Sequence, residues 1–163
     1  MYSLCLDQAL QTTGWAIYKD STLIDFGHFT IPVSGGIEHR LGLFYNKITE
    51  LYEKYKFNKI YYEDIQNQSN NLTYKRLAQV QAIVMLWCDF HNIPGEVLAP
   101  SHWRSILKDK HKINFGRARA DQKKAAKEFV KEFFDKEATE DECDAICLGL
   151  AAIQEKKEKK SAF

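Results

Sequence analysis

Carboxylates at three places along the chain stand out because local patterning does not ask for them. Asp7 closes the apolar run at 2–7 (YSLCLD), Glu63 and Asp64 interrupt the run at 59–65 (KIYYEDI), and Asp141 and Asp144 lead an apolar helical segment. Some of the acids there have a plain local explanation. An aspartate at a strand end initiates turns, and Thr139-Glu140-Asp141-Glu142 reads as a capping box whose acids favour the helix dipole. Asp141 and Asp144 nevertheless share one helical face, and the stripe continues through Ala145, Leu148 and Ala152, the face expected to pack on a sheet. Like charges buried at that spacing repel and lose hydration, so they persist only with raised pKa values or with a cation between them. A metal site resolves the conflict. Oxygen donors alone select hard divalent ions, Mg²⁺ or Mn²⁺. Such a cluster can hold two ions, roughly 3.5–4 Å apart, for hydrolysis of a phosphodiester. Within its strand Glu63 shares a face with Tyr61 and Ile65, and Asp64 with Ile60 and Tyr62. Periodicity does not choose between the two acids.

Charge is the second feature. A formal net charge of +1 hides Arg104, Lys108, Lys110, Lys112, Arg117, Arg119, Lys123, Lys124 and Lys127, which face only Asp109 and Asp121 in the same stretch. A concentrated basic segment on an otherwise net-negative chain is the footprint of a polyanion such as nucleic acid. A solvated lysine-rich helix face is the plain alternative. Trp103 and Phe115 are candidates for stacking on bases, although isolated aromatics more often pack. His102 and His111 suit phosphate contact or simple exposure rather than a general-base role. Cys5, Cys88, Cys143 and Cys147 show no CxxC spacing, which excludes a zinc site and points to reduced, buried thiols.

The elements that must position these residues are legible in the hydrophobic pattern. Stretches 2–7, 14–19 and 22–31 read as strands, and their short connections make them antiparallel. Ile37, Leu41, Phe44, Ile48, Leu51 and Tyr55 recur at helical spacing. A strand follows at 59–65, then a polar stretch at 66–71 whose asparagines cap a helix reaching about residue 90. A short strand at 96–98 precedes a helix capped by Ser101 and running through 107. A basic loop to about 117, a helix at 118–134 and a last helix from 140 to about 155 complete the chain. This order predicts an α/β fold with a five-stranded mixed sheet, three antiparallel strands then two parallel, flanked by helices. One domain spans 1–155, and the basic tail 156–163 is expected to fray.

Composition narrows the classes further. With 45% hydrophobic and 13% aromatic residues, 163 residues close one core but not two ordinary domains. Eight glycines and three prolines are too few for collagen or a disordered chain. No apolar run approaches the roughly 18 residues of a membrane span. The start MYSLCLDQAL has no secretion leader, so the cytosol is the expected compartment, and the sequons Asn67-Gln68-Ser69 and Asn71-Leu72-Thr73 are chance matches.

Taken together, four blocks resemble the RuvC-like Holliday junction resolvases, in particular the small phage and poxvirus-type members, on the ribonuclease H-like fold. The resemblance covers most of the chain. It rests on Leu6-Asp7 followed by Thr13-Gly14-Trp15-Ala16-Ile17, on Ile60-Tyr61-Tyr62-Glu63-Asp64-Ile65-Gln66, on Ala99-Pro100-Ser101-His102-Trp103-Arg104, and on Asp141-Glu142-Cys143-Asp144-Ala145. It implies that Asp7, Glu63, Asp141 and Asp144 are the metal-binding catalytic acids, with Glu63 preferred to Asp64, and that the first and fourth strands lie side by side. The implied cofactor is Mg²⁺ or Mn²⁺, two ions per site. Arg104 and Lys123 resemble basic residues that contact DNA near the scissile phosphate. Bacterial members carry an aromatic wedge where this chain has Gln66, which implies broader cutting of branched DNA.

The activity so implied is that of a crossover junction endodeoxyribonuclease of DNA recombination and repair, in the host cytosol if phage-encoded. It would nick four-way or other branched DNA in pairs, leaving a 5′-phosphate and a 3′-hydroxyl. Phosphates would be held by Arg104, Lys108, Lys110, Lys112, Arg117, Arg119, Lys123 and Lys124, with Gln66 also at the DNA. One site per chain cannot nick two strands symmetrically, so a two-fold homodimer is expected, as in the family. The helix at 72–90 offers Leu77, Val80, Val84 and Trp87 for that interface, although most of them are expected in the core. Two other readings stay open on the residues alone: a ribonuclease H-type hydrolase of RNA–DNA hybrids, and a noncatalytic binder of branched DNA.

Overall fold

Residues 1–66 and 70–161 are described by the computed structural model; Asn67 with its sequon and the last two residues of the tail fall outside them. Three strands open the chain, β1 (Tyr2–Asp7), β2 (Thr12–Lys19) and β3 (Thr22–Thr30). They are followed by α1 (Ile37–Tyr55), β4 (Ile60–Glu63), α2 (Asn71–Phe90), β5 (Gly95–Leu98), α3 (Pro100–His111), α4 (Arg119–Phe134) and α5 (Glu140–Ser161). The strands form one sheet in the order β3-β2-β1-β4-β5. Short turns make the β1–β2 and β2–β3 pairs antiparallel, while the crossovers through α1 and α2 make β1–β4 and β4–β5 parallel. The sheet is the mixed one expected, with β1 at its centre and β4 beside it. Among the described residues no helix is long and apolar enough to cross a membrane.

Several boundaries differ from the sequence expectation for local reasons. Asn70 caps α2, its side chain accepting the Leu72 and Thr73 N–H groups at 2.9 and 3.2 Å. Ser101 does not cap α3. The helix starts two residues earlier because Pro100, with its fixed φ, takes the first helical position after Ala99. α3 runs to His111 rather than 107, and α5 to Ser161 rather than about 155. The residues that extend them are largely lysine and glutamate, good helix formers, and lysines are favoured near a C-terminus. β4 stops at Glu63, which leaves Asp64 and Ile65 beyond the strand.

Alternation along the strands divides the core in two. Cys5, Ala16, Tyr18, Tyr61 and Leu98 pack with α3, α4 and α5, whereas Leu4, Leu6, Ile17, Ile60 and Tyr62 pack with α1 and α2. A period of two therefore carries Asp7, after Cys5, and Glu63, after Tyr61, onto the α5 side, and sends Asp64 the other way. α5 is not the one-sided stripe expected. It is buried on nearly every side from Glu142 to Ile153, because α3 and α4 cover the flank turned away from the sheet.

The contact of α5 with the sheet depends on missing side chains. A Cβ on Gly14 would stand 2.0 Å from the Asp141 carbonyl oxygen, and one on Gly149 would stand 2.6 Å from Cys5 Sγ and Tyr18 Cε2. The Tyr18 hydroxyl donates to the Ile146 carbonyl at 2.8 Å, satisfying a buried phenol. Gly14→Ala is expected to lower unfolding free energy by about 3 kcal/mol, the upper range for overpacking, since the obstacle is backbone. Gly42→Ala on α1, where a Cβ meets nothing within 4 Å, should instead raise it by roughly 0.5–1 kcal/mol. Chemical denaturation of both variants checks the pair.

Candidate active site

Each acid of the site owes its place to a different local device. Asp7 ends β1 opposite Gly14 of β2, where Thr13 closes the following turn by donating to the Ala9 carbonyl at 2.8 Å and accepting the Ala9 N–H at 3.2 Å. Glu63 ends β4. Its backbone is clamped to the residue after Asp7 by a reciprocal pair: Gln8 Nε2 donates to the Glu63 carbonyl at 2.5 Å, and Glu63 N–H donates to Gln8 Oε1 at 3.1 Å. Its side chain accepts the Trp103 indole N–H at 2.9 Å. Asp141 and Asp144 lie on the first turns of α5, whose start is held by the expected capping box. Thr139 N–H donates to Glu142 Oε2 at 2.7 Å and Glu142 N–H to Thr139 Oγ1 at 3.4 Å. Glu142 also stands 2.7 Å from His28 Nδ1 of β3, which ties the helix start to the edge of the sheet.

All four acids line one cavity of about 480 Å³, together with Gln8, Thr12, Asp64, Gln66, Thr73, Leu77, Pro100 and Gln122. Four basic residues share its wall: Arg104, Arg117, Arg119 and Lys123. Lys123 is the cation nearest the acids, its Nζ 2.5 Å from Asp144 Oδ2 and 3.6 Å from Asp141 Oδ1. Arg104 lays its guanidinium over the Trp103 ring, 4.6 Å from the centroid, and its Nε is buried with no acceptor among the described residues.

The electrostatics follow from this crowding. Burial, then the charges of Glu63 and Asp144, push the Asp7 carboxyl well above the ordinary carboxylate range against the pull of Lys123. Burial also raises Glu63, in part opposed by the Trp103 hydrogen bond, and raises Asp144 against the opposing Lys123 charge. Burial alone would lower Lys123, but Asp144, with Asp7 and Asp141 behind it, holds its ammonium above the usual lysine value. As placed, no group of three or more Asp, Glu, His or Cys among the described residues could hold a metal ion. The donor set nevertheless fits hard divalent ions: it is all oxygen, and its four carboxylates share one cavity.

Other expected site residues fall elsewhere. Lys108 and Lys112 are exposed on and just after the end of α3, outside the cavity, and Lys112 Nζ donates to the Asp109 carbonyl at 2.8 Å. Lys110 also lies outside it, and Lys124 stands 3.8 Å from Glu128 on α4. Trp103 and Phe115 do not present faces for stacking on bases: both are buried, packed edge to face with centroids 5.7 Å apart. His102 and His111 face Glu155 and Gln154 on α5, away from the acids. Pattern and composition do not reveal Gln8 or Trp103 as partners of Glu63, because both reach it through hydrogen bonds made across the fold.

No family model matches the chain. RuvC of Dictyoglomus turgidum, a crossover junction endodeoxyribonuclease, is 22% identical over 157 residues, covering 94% of this chain and 96% of that protein. Thermus thermophilus RuvC, solved in complex with a Holliday junction substrate, superposes with a TM-score of 0.76 at 13% identity, covering 96% of each chain. The Fowlpox virus resolvase, solved with substrate Holliday junction DNA, gives 0.57 at 14% identity over 95% of this chain and 98% of that one. The fold is thus ribonuclease H-like, in the form found in junction resolvases. Along nearly its whole length the chain is similar to RuvC, weakly in sequence and closely in fold.

The raised acids make a signed pH prediction for the metal-free protein. A carboxyl whose folded pKa exceeds its unfolded value binds more protons when folded between the two, so stability falls as pH rises through that window. The thermal midpoint in EDTA is therefore expected to fall as pH rises from about 4, the ordinary carboxylate value. Asp7→Asn should flatten that fall and raise the midpoint at neutral pH. An unaltered pH profile in the variant would contradict the charge crowding described.

Proposed function

We propose that the protein is a divalent-metal-dependent endonuclease that resolves Holliday junctions, and cuts other branched DNA, by paired phosphodiester hydrolysis as a homodimer. The observation that carries this reading is one cavity in which acids from β1, β4 and α5 meet a basic wall from α3, α4 and the segment between them. Similarity to RuvC along nearly the whole chain supports it.

Asp7, Glu63, Asp141 and Asp144 would hold Mg²⁺ or Mn²⁺, two ions per site. When bound, such ions activate water and stabilise the leaving oxygen of a phosphodiester. Lys123, released from Asp144, and Arg104, with an unpaired Nε, are placed to hold the phosphate; Arg117 and Arg119 extend the grip to flanking phosphates. Lys108, Lys110, Lys112 and Lys124 would meet DNA only beyond the cavity. Gln66 is exposed at the cavity edge and offers an amide where an aromatic would wedge a junction open, consistent with tolerance of several branched structures.

For a dimer, most of the apolar positions of α2 are unavailable, as expected. Val80, Val84 and Trp87 are core, and Leu77 lines the cavity. The apolar positions α2 leaves exposed are Leu72, Tyr74, Met85, Leu86 and Phe90, and these are the proposed contacts.

Cleavage of end-labelled four-way junction, fork, linear duplex and RNA–DNA hybrid, with Mg²⁺ or EDTA, tests the reading. Wild type should nick the branched substrates in pairs and ignore the hybrid. Asp7→Asn should bind the junction and lose cleavage by at least about a thousandfold, as expected when a group essential to the chemistry is removed. Hybrid cleavage instead supports the ribonuclease, and metal-independent binding without cutting supports the noncatalytic binder. Arg117→Ala should lower the slope of log affinity against log salt by roughly one. The double variant Met85→Glu, Phe90→Glu should be monomeric by light scattering and nick without pairing.

A further inference from the structure

Trp103 is wholly buried in the first turn of α3, and its one polar atom must find an acceptor. The acceptor is a single oxygen of the Glu63 carboxylate, 2.9 Å away. A neutral carbonyl would have satisfied an indole that serves only to fill the core. A carboxylate makes the bond charge-assisted, and it leaves the second Glu63 oxygen free for a cation. The ring itself is held fast, with Phe115 perpendicular to it at 5.7 Å between centroids and the Arg104 guanidinium over it at 4.6 Å. Since Gln8 pins the Glu63 backbone on both its N–H and its carbonyl, the indole settles the remaining freedom of that side chain.

On the reading of the cavity as a metal-dependent nuclease site, we propose that Trp103 is a positioning residue whose indole N–H orients Glu63 for metal binding while its face carries Arg104. One rigid ring thereby sets the spacing between a metal-binding acid and a phosphate-binding base. Donors to metal-ligating carboxylates orient the ligand, and their loss typically costs roughly 10–100-fold in metal affinity or activity.

Trp103→Phe keeps an aromatic ring and removes the donor. In the full chain, calorimetric Mn²⁺ affinity without DNA should fall on the order of tenfold. The Mg²⁺ concentration for half-maximal junction cleavage should rise to match, with kcat at saturating Mg²⁺ within roughly threefold of wild type. Unchanged Mn²⁺ affinity in a folded variant overturns the proposal.

Should the variant lose its fold, wild type decides. Of the three tryptophan indole N–H resonances, that of Trp103 should move on Mg²⁺ titration and stay still in Glu63→Ala. A Trp103 resonance indifferent to Mg²⁺ in wild type overturns the proposal. Wild type that shows the Mg²⁺ response but leaves junctions uncut refutes the resolvase reading and upholds the role of Trp103. Junction cleavage alongside a Trp103→Phe variant of unaltered Mn²⁺ affinity does the reverse.

Discussion

Mutual repulsion among four carboxylates in one partly buried cavity is the constraint around which the molecule is built. Two unit charges about 4 Å apart at an effective dielectric near 20 interact by about 4 kcal/mol, against a typical domain stability of about 5–15 kcal/mol. Left to itself, such a cluster would push α5 off the sheet. The contacts along that helix all oppose such a movement. Gly14 and Gly149 let its backbone sink onto the strands, Tyr18 reaches up to the Ile146 carbonyl, and α3 and α4 close over its outer flank. At the start of the helix the capping box and His28 tie the first turn down, and Lys123 neutralises part of the charge.

The same arrangement separates the two kinds of charge by element. Acids come from the sheet and from α5, which are locked together by buried contacts. Basic residues come from α3, α4 and the segment between them: Arg117 and Arg119 are exposed, whereas Arg104 and Lys123 are half-buried, held against Trp103 and Asp144. A cavity built this way keeps its negative charge fixed and presents its exposed positive charge on Arg117 and Arg119. Trp103 is the exception. It belongs to the basic layer in sequence and to the acidic one by hydrogen bond.

Much of this was legible in the chain and some was not, for identifiable reasons. The antiparallel hairpins, the parallel crossovers and the capping box at Thr139 follow from spacing and turn chemistry, which are local. The choice between Glu63 and Asp64 rested on resemblance, yet the strands hold a physical answer. Cys5 and Tyr61 lie on one face and Leu4, Leu6 and Tyr62 on the other, and only the fold shows which face α5 covers. α5 was misjudged as one-sided because periodicity reports how apolar a helix is and not how many neighbours it will have. Gln8 as a site residue, and Trp103 as a partner of Glu63 rather than a stacking face, are not legible, since a hydrogen bond between residues 40 or 55 positions apart leaves no mark on pattern or composition.

The reciprocal amide clamp between Gln8 and Glu63 has a bearing on how the chain can change over time. It joins the ends of two strands whose acids reach the cavity only because each follows a residue of the same parity. Insertion of one residue within β1 or β4 would turn its acid to the opposite side of the sheet and break the clamp together with it. Gain and loss of residues should therefore be confined to the stretches beyond those two strand ends. Lineages descended from a common ancestor would then vary in length around this pair of strands while holding constant the count of residues inside them.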